Sequence, residues 1–150
     1  MRASSVSRVK TGAILLVDDN RHGLVARKAL LQEQGHSITT VSSGEEGLEA
    51  LASGRFDLII TDFRMPKMNG IELIRHLKKT APDLPVILLS GFVEALGLDE
   101  KSTGADIVVA KGANEVAHLL RAVSRIMNRA TPKKPPASQK SPLRTKARGV

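Results

Sequence analysis

Four stretches of this chain, residues 14–17, 58–61, 86–89 and 107–110, are apolar or nearly so from end to end. Short apolar runs separated by amphipathic, helix-length segments are the pattern of a βαβ sheet buried on both faces. With their flanks, three of them predict strands over 57–61, 86–90 and 106–110. Residues 37–41 read as a further strand, less apolar and so nearer an edge. Between the strands, residues 20–34 predict a helix that stops at Gly35, with Val25, Ala26, Ala29 and Leu30 on one side. Ser42 and Ser43, with Glu45 and Glu46 three residues on, offer two capping boxes for a helix that carries Leu48, Leu51 and Ala52 and closes at Gly54. Leu73, Ile74 and Leu77 mark a third helix, stopped by Pro82 and Pro85. A fourth is expected over 92–103, although Gly97 in its middle costs about 1 kcal/mol relative to Ala. The last, 113–129, places Val116, Leu119, Leu120, Val123, Ile126 and Met127 on one buried face.

The apolar runs end in reactive groups. Residues 14–17 lead to Asp18 and Asp19, 58–61 to Asp62, 86–89 to Ser90, and 107–110 to Lys111. In an open parallel sheet, ligands bind outside the carboxyl ends of the strands. Three carboxylates, a hydroxyl and an ammonium gathered there suit a hard cation and a phosphoryl group. Mg²⁺ takes oxygen ligands, commonly one or two carboxylates plus phosphate oxygens. An aspartate can attack phosphorus to form an acyl phosphate, and the transfer then needs mainly positioning and charge neutralisation. Gly91, beside Ser90, would leave the approach to Asp62 open. Taken singly, each residue has a plainer reading: Asp18 and Asp19 as a turn or cap, Asp62 and Ser90 as loop starts, Lys111 as a solvated charge. Their common place at strand ends favours the chemical one.

Length and charge narrow the class. A chain of 150 residues suits one domain. It has no Cys, which excludes disulfides and thiolate metal sites and fits a cytoplasmic protein. No apolar run reaches the roughly 18 residues of a membrane-spanning helix. The net charge of +8 belongs to the ends. Removing the three positive charges of residues 1–12 and the six of residues 131–150 leaves −1 for residues 13–130. A basic, flexible segment 1–12, a globular domain 13–130 and a disordered, Pro-rich basic tail 131–150 are therefore expected. The tail reads first as a solubilising extension, and second as a weak, salt-dependent contact for nucleic acid or an acidic partner. The four histidines share no metal-ligand spacing and are expected at the surface or its boundary, and Met65 and Met68 in loop packing. No Gly-rich phosphate loop of the Walker type is present, against a nucleotide hydrolase.

Residues 15–20 (LLVDDN), 61–70 (TDFRMPKMNG), 89–91 (LSG) and Lys111 together resemble the receiver domains of two-component response regulators, a likeness that runs from about residue 13 to 129. The resemblance implies a flavodoxin-like (βα)5 fold, a doubly wound parallel sheet of strand order 2-1-3-4-5. It implies that Asp62 is the phosphoacceptor and that Ser90 and Lys111 handle the phosphoryl group. Asp18, Asp19, Asp62 and the backbone carbonyl of Arg64 would hold Mg²⁺. The donor would be a phosphohistidine on a histidine kinase or histidine phosphotransfer protein, and the output a switch in binding to a downstream protein. Two positions depart from the family pattern. Receivers usually carry Pro, in a cis peptide, after the lysine, where this chain has Gly112 and Ala113; their aromatic switch residue corresponds to Val108.

A stand-alone receiver, or one cut from a longer protein, is expected, catalysing only its own phosphorylation and dephosphorylation and so not an enzyme; a homodimer is left open. The alternative is a pseudo-receiver that binds partners without phosphate. A phosphatase or phosphotransferase acting through an aspartyl phosphate would need a second carboxylate to serve the leaving group, and Arg64 stands two residues after Asp62 in place of one.

Overall fold

The structure, a computed structural model, describes residues 10–91 and 93–129. Five strands, β1 (Ala13–Val17), β2 (Ser37–Val41), β3 (Leu58–Asp62), β4 (Val86–Ser90) and β5 (Ile107–Ala110), form one sheet in the order β2-β1-β3-β4-β5. Every neighbouring pair is parallel. The helices are α1 (Arg21–Glu33), α2 (Gly44–Ser53), α3 (Gly70–Thr80), α4 (Val93–Leu96), α5 (Glu100–Thr103) and α6 (Glu115–Arg129). This is the predicted doubly wound arrangement and strand order. None of the described helices is long and apolar enough to cross a membrane. The expected segment 131–150 and most of 1–12 lie outside the described residues.

The central strands are apolar until their carboxyl ends because alternate side chains enter two different cores. Ile14 and Leu16 of β1, with Leu58 and Ile60 of β3, pack against Leu24 and Leu31 of α1 and Leu119, Val123 and Ile126 of α6. Leu15, Val17 and Ile59 turn the other way, to Leu73, Ile74 and Leu77 of α3, with Leu48 and Leu51 of α2 at the margin. Met65 is buried in this second cluster and Met68 packs against it, so both serve loop packing.

Local chemistry sets the helix ends. Asn20 caps α1, accepting from the Gly23 N–H at 3.0 Å. Ser43 caps α2, its hydroxyl accepting from the Glu46 N–H, but the Glu46 carboxylate accepts from Ser42 instead of Ser43, so neither of the two expected capping boxes closes reciprocally. Asn69 and Glu72 make a reciprocal capping box at the start of α3 that the sequence reading passed over.

Four expectations are corrected. On α1 the inward residues are Leu24 and Leu31; Val25 is 61% exposed, and Ala26 and Ala29 face outward with it. On α6, Val116 is exposed rather than part of the buried face. His36 is buried, its Nδ1 accepting from the Gly12 N–H at 3.2 Å just before β2. The single helix expected over 92–103 is instead α4 and α5, parted at Gly97, whose φ of +63° is a left-handed conformation that ends an α-helix.

Candidate functional site

Each candidate group is set at the carboxyl edge of the sheet by the strand before it. Asp18 follows β1 directly, and its backbone N–H donates to Val41 O, so strand pairing continues into the acid pair. Asp62 is the last residue of β3, in register with Leu89 of β4; Ser90 is the next residue along and pairs with Ala110 of β5. The Lys111 N–H donates to Ser90 O at 3.0 Å, which carries the edge across to the lysine. The 63–70 loop folds straight back, with the Gly70 N–H donating to Phe63 O at 2.8 Å. A Cβ on Gly70 would stand 2.4 Å from the Asp62 carbonyl oxygen, so only glycine lets α3 start this close to β3.

Asp18, Asp19 and Asp62 converge, each offering a carboxylate oxygen with all three oxygens within 4.8 Å of one another. Asp18 and Asp62 are buried and Asp19 is exposed, so the cluster opens to solvent on the Asp19 side. Arg64 is exposed and lines the same shallow depression as Asp19. The Lys111 ammonium pairs with Asp62 Oδ1. Burial pushes the Asp62 carboxyl above the usual aspartate range, the Lys111 ammonium pulls it back in part, and the Asp18 charge adds to the rise. Ser90 is buried at the end of β4. Gly91 is exposed, with no atom within 4 Å of where a Cβ would stand. Val108 is half-buried on β5 and packs against the second core.

Two further charged groups belong to the site. Arg27 reaches in from α1, its Nη1 donating to Asp18 Oδ2 at 2.9 Å and its Nε to Glu115 Oε2 of α6 at 2.7 Å. Burial works to lower the pKa of this guanidinium, but the bond to Glu115 and the charges of Glu115, Asp18 and Asp62 together hold it above its ordinary value. Neither residue ends a strand, and the strand-end pattern had no place for them. The available signal was Arg27 itself, three residues after Leu24 and four before Leu31, on the inward stripe of α1.

The donor set fits a hard divalent cation. It is all oxygen, it is partly open to water, and its charge calls for one: three carboxylates against Lys111, with Arg27 and Glu115 cancelling, leave two negative charges. The peptide between Lys111 and Gly112 is trans, and Gly112 has φ +149°. A cleft of about 740 Å³ lies at the opposite end of the sheet, among Asp57, Pro85, Asp106 and Arg129. It holds none of the strand-end groups. Its Asp57 and Asp106 carboxylates accept the backbone N–H groups of Ala13 and Val86, which gives them a structural role.

The model of the response regulator receiver domain family matches residues 14–124. The gliding motility regulatory protein of Myxococcus xanthus is 37% identical over 119 residues, covering 75% of this chain and 15% of that protein. The Bacillus subtilis transcriptional regulatory protein YkoG is 36% identical over 107 residues, covering 71% of this chain and 44% of that protein. The chain thus spans less than half the length of either relative. The structure of response regulator protein TrrA from Thermotoga maritima, in complex with Mg²⁺ and BeF, is 34% identical and superposes with a TM-score of 0.68 over 76% of this chain and 97% of that one.

Proposed function

The chain belongs to the response regulator receiver domain family of two-component systems, and from that premise we propose that it accepts a phosphoryl group on Asp62 from a phosphohistidine. The observation that carries the reading is the placing of the Asp62 carboxylate between two more carboxylates and an ammonium, at the rim of a rigid parallel sheet. An Asp62 oxygen attacks phosphorus in line, the phosphorus–nitrogen bond breaks, and its electron pair goes to the imidazole nitrogen, which takes up a proton from water. The product is an acyl phosphate on Asp62 and a neutral histidine on the donor.

The residues around Asp62 supply charge and orientation. Lys111 is already paired with Asp62, close enough to shift to an oxygen of the transferred group. Ser90, one strand over, supplies a hydroxyl. Asp18, Asp19, Asp62 and the Arg64 carbonyl would hold Mg²⁺, which would supply positive charge against that gathering on the phosphoryl oxygens. The nearest general acid or base for an outside substrate is missing at residue 64, so the domain turns over only its own phosphate. The donor is a histidine kinase or a phosphotransfer protein. TrrA supports this by its own structure in complex with the histidine kinase ThkA, in which TrrA is 34% identical to this chain. Phosphorylation then shifts the population between two arrangements of the surrounding loops, and with it the affinity for a downstream protein.

The test is incubation of the full chain with a small phosphodonor and Mg²⁺, followed by intact mass. One added phosphoryl group is expected, absent when the metal is chelated and absent in Asp62→Asn. Equal labelling of Asp62→Asn would overturn the assignment. No labelling of the wild type would favour a pseudo-receiver that binds its partners without phosphate.

A further inference from the structure

We propose that Arg27 is a positioning residue that ties the acid pocket to the loop carrying Lys111, so that cation binding at Asp18 is felt at the start of α6. Three observations carry it. The side chain of Arg27 is 12% exposed and both of its pairing atoms are engaged, with Asp18 just after β1 and Glu115 on α6, so one planar group of α1 links the end of a central strand to another helix. The guanidinium has a built seat: a Cβ on Gly23 would stand 2.7 Å from Arg27 Nη1 and 3.1 Å from Asp18 Oδ2. A glycine within the first turns of a helix costs about 1 kcal/mol relative to Ala, and here its effect is to leave the path to Asp18 clear.

The third observation is what Glu115 holds. It is the first residue of α6, and its N–H closes the loop onto Gly112 O at 3.2 Å. Gly112 has open space around it and a backbone conformation that favours glycine, so its side puts no packing constraint on Lys111. The Arg27 bond to Glu115 does constrain it. A single ammonium at position 27 could hold one partner or the other, whereas the guanidinium fork holds both. When a divalent cation neutralises Asp18, Arg27 loses one of its two anchors and the loop is released in part. Asp62 and Lys111 then meet the incoming phosphoryl group with a loop freer to follow it.

This inference rests on the Mg²⁺ site of the proposed function, and its test separates the two. In the full chain, Mg²⁺ affinity is measured by calorimetry, and amide hydrogen exchange at residues 112–116 with and without Mg²⁺. In the wild type, saturating Mg²⁺ is expected to speed exchange at 112–116 about fivefold. Arg27→Met is expected to bind Mg²⁺ about tenfold more tightly, because a cation beside Asp18 is gone, and Glu115→Gln about fivefold more weakly. Arg27→Lys keeps the charge and so should hold the affinity within about twofold of wild type, yet lose the response at 112–116. Arg27→Met with unchanged or weaker affinity, or a full response at 112–116 in both Arg27 variants, would overturn the inference and leave the metal site standing. A wild type without Mg²⁺ affinity would remove the metal site and this inference with it.

Discussion

Replacing Asp62 by Asn should make the metal-free protein more stable, although it deletes an ion pair. In the folded state the Asp62 carboxylate is buried and lies with two others whose oxygens are within 4.8 Å. Two like charges at that separation repel by about 3.5 kcal/mol at an effective dielectric of about 20. The Lys111 ammonium and the exposure of Asp19 offset most of this. The remainder still favours the neutral form, since burial and Asp18 together hold the Asp62 carboxyl above the usual range. Asn keeps the shape without the charge, and a net gain on the order of 1 kcal/mol follows, the size of an ordinary point-mutation effect.

The pH dependence has a definite sign. A carboxyl raised in the folded state binds a proton there before the unfolded chain does, so the wild type loses stability as pH rises from the unfolded value, about 3.9, through the folded one. The advantage of Asp62→Asn is therefore full at pH 7.5 and vanishes below about pH 4. The chain has no Trp or Tyr, so unfolding is followed by far-ultraviolet circular dichroism in urea. In chelator at pH 7.5 the midpoint of Asp62→Asn should lie about 0.5–1 M above wild type, given a slope of about 1–2 kcal/mol per M. Mg²⁺ should reverse the order: at about twenty times its dissociation constant it adds about 1.8 kcal/mol to whichever protein binds it when folded. A lower midpoint for Asp62→Asn in chelator, or equal stabilisation of both proteins by Mg²⁺, would refute the electrostatic account of the site.

Two further outcomes test the packing. Leu31→Ala, at a fully buried position of α1, should cost about 3 kcal/mol in urea unfolding, and Val25→Ala, 61% exposed, less than about 0.5; similar losses would restore the outward stripe to the core. Burial lowers the pKa of His36, so the unfolded chain protonates first and stability should fall as pH drops through about 6.5. The urea midpoint between pH 7.5 and 5.5 should fall for the wild type and stay flatter for His36→Asn, whose side-chain oxygen can also accept from Gly12; parallel curves would clear His36 of the effect.

The strands were legible because their signal is local. A strand buried on both faces leaves little choice but Val, Ile and Leu, and β4 fell on the residues expected from that rule, while β2, an edge strand with Ser37, Thr39 and Thr40, fell where its weaker pattern put it. The face of α1 was misread for a reason that the structure makes plain. Its inward stripe of Leu24, Arg27 and Leu31 has a charged residue in the middle, while Val25, Ala26, Ala29 and Leu30 make an unbroken apolar stripe that the fold turns largely outward. Hydrophobic period alone favours the second stripe. His36 was misplaced because the group it pairs with, the Gly12 N–H, is far away in sequence. Gly97 was seen as a cost to a helix, when its left-handed backbone instead divides the segment in two.

The same contrast runs through the site. Asp18, Asp19, Asp62, Ser90 and Lys111 follow from topology, because a parallel sheet carries the end of each strand to one rim. Arg27 and Glu115 come from helices, and only the packing of α1 and α6 on the same face of the sheet brings them to Asp18. Their presence changes what the metal-free site is. Lys111 sits on Asp62 and Arg27 on Asp18, so the two buried carboxylates each have a protein counter-ion before any Mg²⁺ or phosphoryl group arrives. Under the proposed function, activation is an exchange of counter-ions: a cation would take over Asp18, and a phosphoryl group on Asp62 would draw Lys111 away from the oxygen it now holds. Each exchange frees a side chain whose backbone belongs to a different element, Lys111 after β5 and Arg27 in α1. On that reading, a change confined to a few ångströms at the rim would be passed to two surfaces of the domain.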